Sequence, residues 1–391
     1  MIPYGRHHID EDDIAAVARV LRSGELTQGA TVPAFERAIA DYVGARYAVA
    51  VSSCTAGLHL AALAAGVGPG SALVTTPITF VASANAARYA GGDVLFADVD
   101  PVTINMDPAS LRRVLAAHSN VRAVVPVHFA GLPCDMPAIK AAADAAGAVV
   151  IEDAAHALGA VEPDGHRVGA CAHSLMTVFS FHPVKAIAAG EGGLITTNDE
   201  AVYRRLLRLR SHGINKLDDP FEVPDQASTS GVPNPWYYEM QELGFHYRIT
   251  DIQCALGLSQ FGKLDRFLER RRALARAYDQ AFGDEHALIR SAQPVGRDHS
   301  GHHLYVVRID FSAAGTSRSA VMQAMRARGI VTQVHYIPVP AQPYYRRLGF
   351  KPEDYPAAHA YYQQALTIPL FYDLTNDEQQ LVVGCLRELI G

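Results

Sequence analysis

Between residues 31 and 200 the chain alternates short, continuously apolar runs with stretches of helical spacing, and this alternation constrains the fold more than any other feature. VPAFERAIADYVG (32–44) spaces its apolar residues three and four apart and stops at Gly44, as an amphipathic helix does. YAVAV, ALVTT, DVLFADVD, AVVPVHF and AVVIEDAA lack the apolar/polar alternation of a strand with one wet face. The helical runs TAGLHLAALAAG, FVASANAARYAG, PASLRRVLAAHS and CDMPAIKAAADAAG separate them. Strands buried on both faces and joined by helices predict a mostly parallel sheet covered on both sides, an α/β layered domain.

The rhythm breaks after HSLMTVFSFHP and GGLITTND, two β-like runs that flank Lys185 with no helix between them. Residues 212–244, rich in Pro, Asn, Asp and Ser around the single Trp236, read as a long excursion. A helical pattern from 249 to 282 predicts one long helix. HLYVVRIDF, a helix ending near Gly329, IVTQVHYIP and terminal helices then predict a smaller α+β segment. A chain of 391 residues has length for two domains, expected here at 1–260 (large, with the N-terminal segment and the excursion) and 261–391 (small).

Charge excludes some function classes. The chain has 34 Lys and Arg against 40 Asp and Glu, a net charge of -6, which argues against nucleic-acid binding. No apolar run approaches the ~20 residues of a membrane span, and MIPYGRHHIDEDD has no apolar signal core, so a cytoplasmic protein is expected. Cys54, Cys134, Cys171, Cys254 and Cys385 are odd in number without a CxxC pair, which predicts neither disulfides nor a zinc site. The histidine clusters at His7-His8 and His302-His303 lack nearby carboxylates except Asp298, so no metal is expected.

Four motifs carry chemistry or imitate it. GVGPG (66–70) follows a helix and precedes a strand, the reverse of a dinucleotide loop, and reads as a helix end. VAVSSCTAGLHLA has the productive order of strand, hydroxyl residues and helix, so Ser53, Thr55 and Ala56 form either a phosphate cradle at a helix N-terminus or an ordinary cap. In IEDAAHALGA, Asp153 stands just beyond an apolar strand, with His156 three residues on. A buried carboxylate there is costly unless it meets a cation or donors, and open α/β sheets bind ligands at that edge. A structural cap is the competing reading. In FSFHPVKAIAAGEGG, Lys185 lies among apolar and small residues with no acid before Glu191, a setting that lowers an amine pKa and leaves a nucleophile able to form a Schiff base. Without Asp153 and the cradle, the reading as a snorkelling loop lysine would prevail.

Together these motifs resemble the DegT/DnrJ/StrS family of sugar-nucleotide aminotransferases. The likeness runs through nearly the whole chain: IPYGR, LTQG, TPITFVASANAARYAGG, PVHFAGLPCDM, EDAAHALGA, SFHPVKAIAAGEGG, ELGFHYRITDIQCALGLSQ and HYIPV. PWYYEMQELG, DIQCALGLSQ and QPYYRRLGF are most similar to the pseudaminic-acid branch, which aminates C4 of a UDP-linked 4-keto-6-deoxy-acetamido sugar. The resemblance implies the aspartate aminotransferase-like fold type I and pyridoxal 5'-phosphate as cofactor. It implies Lys185 as the lysine that joins the cofactor, Asp153 as partner of its ring nitrogen and His156 near its O3 oxygen. Ser180, Thr55 and Ala56 would hold the phosphate, and Phe80 would lie over the ring. It further implies L-glutamate as donor and a homodimer with shared active sites. The family's GFNYR pattern supplies an Asn to the neighbouring subunit's cofactor phosphate; here that residue is His246, a departure that keeps a donor but makes it titratable. Candidate sugar-nucleotide contacts are Tyr4, Arg248, which the resemblance puts at a subunit interface, and backbone from Thr27 to Gly29; His335 and Tyr336 are candidate hexose contacts, with a packed strand end as the competing reading.

Two other readings remain open at this level. An aminotransferase of the same family can act at C4 or C3 of another UDP- or dTDP-keto sugar. A sensor or scaffold on a decayed fold would have lost Lys185 or Asp153, and both are present. A dehydratase of this family carries His where Lys185 stands.

Overall fold

The computed structural model describes residues 1–216, 219–283 and 288–391. Seven strands form one sheet: β1 (Tyr47–Val51), β2 (Ala72–Thr75), β3 (Asp93–Phe96), β4 (Val121–Val125), β5 (Val149–Asp153), β6 (Met176–Ser180) and β7 (Gly193–Thr197). Their order is β1-β7-β6-β5-β4-β2-β3; β7 alone runs antiparallel to its neighbours, so the expected mostly parallel sheet is present. The helices around it are α1 (Glu11–Ser23), α2 (Thr31–Val43), α3 (Cys54–Ala64), α4 (Val81–Tyr89), α5 (Pro108–Ala117), α6 (Met136–Ala145), α7 (Glu200–Arg210) and α8 (Asp251–Phe261).

Alternate residues of each strand feed opposite cores, which is why the strands read as continuously apolar. Val49, Val51, Ile151, Met176 and Val178 pack with α3, α4 and α7. Ala48, Ala50, Phe179 and Leu194 face α2, while Val74, Val124 and Val150 face α5 and α6.

Two close approaches set the sheet's ligand edge. Ser53 caps α3, its Oγ accepting the Ala56 N–H at 3.1 Å. A Cβ at Gly193 would lie 2.6 Å from the Ser53 and Cys54 backbone, so only glycine lets β7 start beneath the first turn of α3. Asp251, at the start of α8, accepts N–H groups of Gly29, Thr31 and Val32 and so clamps the start of α2.

Beyond α8 the single helix expected over 249–282 is two. Gly262 ends α8, and Lys263, drawn to the carboxylates of Asp10 and buried Asp13, precedes α9 (Leu264–Ala281). Helical periodicity continues across the break, which is why the sequence did not reveal it.

A second, antiparallel sheet follows: β8 (Ile289–Ser291), β9 (Tyr305–Ile309) and β10 (Ala365–Ile368), accompanied by α10 (Arg318–Ala327), α11 (Pro343–Arg347), α12 (Pro356–Gln364) and α13 (Asn376–Ile390). The β-like run IVTQVHYIP is no strand; it forms isolated bridges, Ile330 with Ile2 and Gln333 with Thr367 of β10. The place in the sheet is taken by β10, which follows α12 without a turn signal. Among the described residues no helix is long and apolar enough to cross a membrane.

Candidate active site

Because β1, β2, β5 and β6 are parallel, their carboxyl ends share one edge, and the residues after them enclose a cavity of about 670 Å³. Ser53, Cys54 and Thr55 enter from the start of α3, Phe80 from the cap of α4, Asp153 and His156 from β5, and Ser180 and Lys185 from β6. Tyr4, His303, His335 and Tyr336 close the cavity from the other side.

Among the described residues, half-buried Lys185 is the only amine lining this space. Its Nζ lies 3.5 Å from His303 Nε2. Burial lowers its pKa to about 8 against the opposing pull of Cys54 and Asp153. A substantial neutral fraction is therefore present near neutral pH, as a nucleophilic amine requires.

Asp153 ends β5 and is 4% exposed. Ser83 Oγ donates to its Oδ2 at 2.6 Å and the Ala155 N–H to its Oδ1 at 3.1 Å. Burial nonetheless raises its pKa, despite these donors and the charge of Lys185. Two donors leave carboxylate lone pairs unused, and a protonated ring nitrogen would engage one.

His156 is buried, with Nε2 3.1 Å from the Tyr336 hydroxyl and Nδ1 without a partner. Its ring lies 4.4 Å from that of His303, whose Nδ1 is also unpartnered. Burial and the Lys185 charge hold both imidazoles well below their ordinary pKa, so they are neutral. Orphaned ring nitrogens in a polar cavity are what a polar ligand would satisfy. An amine, a carboxylate with spare capacity and a helix N-terminus thus fit an aldehyde cofactor with a ring nitrogen and a phosphate.

The remaining expected residues divide in two. Ser180, Thr55, Phe80, Tyr4, His335 and Tyr336 line the cavity. Phe80 is 60% exposed and 6.4 Å from the Tyr336 ring; His335 Nδ1 pairs with Thr367 Oγ1 at 2.9 Å. Ala56 does not line the cavity, and its N–H is occupied by Ser53. Thr27, Gly29, His246 and Arg248 lie outside it in the single chain. The Gly29 N–H is taken by Asp251, and exposed His246 stacks on His212 at 5.3 Å. Arg248 has no ion-pair partner among the described residues.

Sequence reasoning missed His303 and Ser83. His303 had been weighed only as a metal ligand; Ser83 was legible as a polar residue in the otherwise small and apolar FVASANAARYAG helix.

Comparison with known proteins identifies the arrangement. Residues 7–387 match the DegT/DnrJ/EryC1/StrS aminotransferase family. The spore coat polysaccharide biosynthesis protein SpsC of Bacillus subtilis is 38% identical, over 100% of this chain and 97% of that protein. The structure is similar to Helicobacter pylori PseC, an aminotransferase of pseudaminic-acid biosynthesis (TM-score 0.89, 27% identity, 100% and 99% of the two chains). It is also similar to the putative sugar aminotransferase Spr1654 of Streptococcus pneumoniae in its PMP form (TM-score 0.88, 27% identity, 100% and 99% covered) and its PLP form (TM-score 0.87, 26% identity, 99% and 98% covered).

Proposed function

This chain belongs to the DegT/DnrJ/EryC1/StrS aminotransferase family, and from that premise we propose that it moves the amino group of L-glutamate to C4 of a UDP-linked 4-keto-6-deoxy-2-acetamido sugar, toward pseudaminic acid. It is a sugar aminotransferase of fold type I that depends on pyridoxal 5'-phosphate. The observation that carries the chemistry is Lys185, among the described residues the sole amine of the cavity that Asp153 also lines.

When bound, pyridoxal phosphate supplies an electron sink for the carbon that loses its proton. In our reading Asp153 would hold a proton at the ring nitrogen, and the α3 start with Thr55, together with Ser180, would receive the phosphate. Phe80 covers the ring and His156 faces its O3 oxygen. Lys185 Nζ anchors the cofactor's aldehyde carbon. The same amine would be the group that takes the donor's α-proton and delivers a proton to the sugar's C4. His303, 3.5 Å away and neutral, accepts a hydrogen bond from the ammonium form.

Tyr4, His335 and Tyr336 are the sugar contacts of this proposal. Thr27, Gly29, His246 and Arg248, which the single chain leaves outside the cavity, would serve the site of a second copy in a homodimer. The division into a 1–260 domain and a 261–391 domain belongs to the same reading, with two sheets and a helix break at Gly262 in its support. So does a cytoplasmic location, where nucleotide sugars and glutamate are at hand.

A specific observation favours a second reading. Identity to SpsC, at 38%, exceeds the 27% to PseC, which supports a C4 or C3 aminotransferase acting on another UDP- or dTDP-keto sugar. Parallel assays with glutamate decide: product mass with UDP-2-acetamido-2,6-dideoxy-β-L-arabino-hexos-4-ulose at higher kcat/KM than with the D-xylo ketone supports the first reading. Preference for the D-xylo or a dTDP-linked ketone supports the second.

A further inference from the structure

Four side chains converge at the amino end of β6, opposite the cavity. Residues 161–167 form a tight hairpin in which Val161 bridges Arg167, the Glu162 N–H donates to the His166 carbonyl at 2.7 Å and Gly165 turns at φ +93°. The hairpin carries Glu162, Asp164 and His166, and His173 approaches from the segment that leads into β6. Ligand atoms of Asp164, His166 and His173 lie within 4.8 Å of one another. His173 Nε2 is 2.7 Å from Asp164 Oδ2, and His166 Nδ1 is 3.1 Å from Asp164 Oδ1.

Glu162 supplies the independent observation. Its side chain is 2% exposed, its Oε2 has no hydrogen-bond partner among the described residues, and that oxygen faces the cluster through His173, 3.6 Å from its Nε2. A buried carboxylate oxygen without a donor is costly unless a cation meets it. A tetrahedral Zn²⁺ with bonds of ~2.0 to 2.1 Å holds its ligand atoms roughly 3.3 Å apart, against 2.7 and 3.1 Å from the two imidazoles to Asp164 and 3.6 Å from His173 to Glu162.

We propose that Glu162, Asp164, His166 and His173 form a binding site for a divalent transition-metal cation, with Zn²⁺ the best match to two imidazoles and two carboxylates. Calcium and magnesium prefer all-oxygen shells. The cation would fasten the 161–167 hairpin to the entrance of β6. It takes no part in amino transfer, because Ser180 and the cavity stand at the other end of that strand. The pattern E-x-D-x-H-x6-H was not among the histidine clusters weighed as metal ligands in the sequence, since its spacing fits no common zinc motif.

The test uses untagged holoenzyme stripped with a chelator and titrated with Zn²⁺ by calorimetry and with Co²⁺ by visible absorbance. One tight equivalent per chain and tetrahedral Co²⁺ bands are expected. His173→Ala and the near-isosteric Asp164→Asn should each weaken that equivalent by roughly 100-fold or more and abolish the rise in Tm with Zn²⁺, while the absorbance of the lysine-bound cofactor stays normal. Absence of a tight equivalent, or one that survives unchanged in both variants, would overturn the proposal and leave the cluster as an ion-paired network only.

Discussion

Glu152 and Asp153 are neighbours on β5, both withdrawn from water at 0% and 4% exposure, and their protonation is pushed in opposite directions. Successive strand residues face opposite sides of the sheet, so the two carboxylates see different surroundings. Glu152 meets His128 Nε2 at 2.8 Å, Ser174 Oγ and Thr177 Oγ1 at 2.8 Å. The Cys134 N–H donates to His128 Nδ1, so the ring proton sits on Nε2, facing Glu152. Burial acts to raise the Glu152 pKa, but these donors outweigh it and hold the group below the usual carboxylate range. Asp153 has only Ser83 and one N–H, and there burial wins. Equal burial with a full donor set makes a structural carboxylate; equal burial with an incomplete set makes one that awaits a cationic ligand.

The largest expected effect removes the group that Asp153 serves. Lys185→Ala should lower turnover by at least ~10⁴-fold and end attachment of the cofactor on borohydride reduction, with the fold retained. Attachment that persists would place the chemistry on a lysine outside the cavity.

Stability should separate the two carboxylates next. At pH 7 Glu152→Gln should lose about 3 kcal/mol in urea unfolding, because the buried donors lose their charged acceptor, whereas Asp153→Asn should change the cofactor-free chain by under about 1 kcal/mol in either direction. The signs follow from linkage. A depressed pKa gives Glu152 a stabilisation present above its unfolded value and lost as pH falls through the folded one, and a raised pKa gives Asp153 a cost that appears as pH rises past its ordinary value. The gap between the variants should therefore narrow in acid, and a constant gap would break the comparison.

Lys185 gives a smaller, pH-dependent effect. Since only the neutral amine reacts, cofactor capture by the stripped chain should accelerate by up to roughly tenfold per pH unit and level off near the lowered value of about 8. A plateau near the ordinary lysine value, above 10, would mean the amine is solvated.

The smallest effect sharpens the comparison by asking what lies across the subunit boundary. If Arg248 serves a second copy, mixing inactive Lys185→Ala with Arg248→Ala under subunit exchange should restore about a quarter of wild-type activity, from one intact site in half of the dimers. No recovery would confine Arg248 to its own chain.

The sheet was legible because local periodicity encodes it, and Lys185 and Asp153 were legible because a lysine among small residues and a carboxylate after an apolar strand are chemically expensive. What completes them was less so. His303 reaches Lys185 across 118 residues and Ser83 reaches Asp153 across 70, separations that periodicity does not register. The missed β10 and the break at Gly262 have the same origin: both elements adjoin a helix without a turn signal, and tertiary contacts decide their ends.

The contrast on β5 is tested most directly by single-turnover reaction of the holoenzyme with L-glutamate, followed through loss of the lysine-bound cofactor absorbance. The account predicts a fall of roughly 10³-fold for Asp153→Asn, with cofactor still bound, and less than about tenfold for Glu152→Gln measured where it remains folded. A near-normal rate for Asp153→Asn, or equal losses in the two variants, would contradict it.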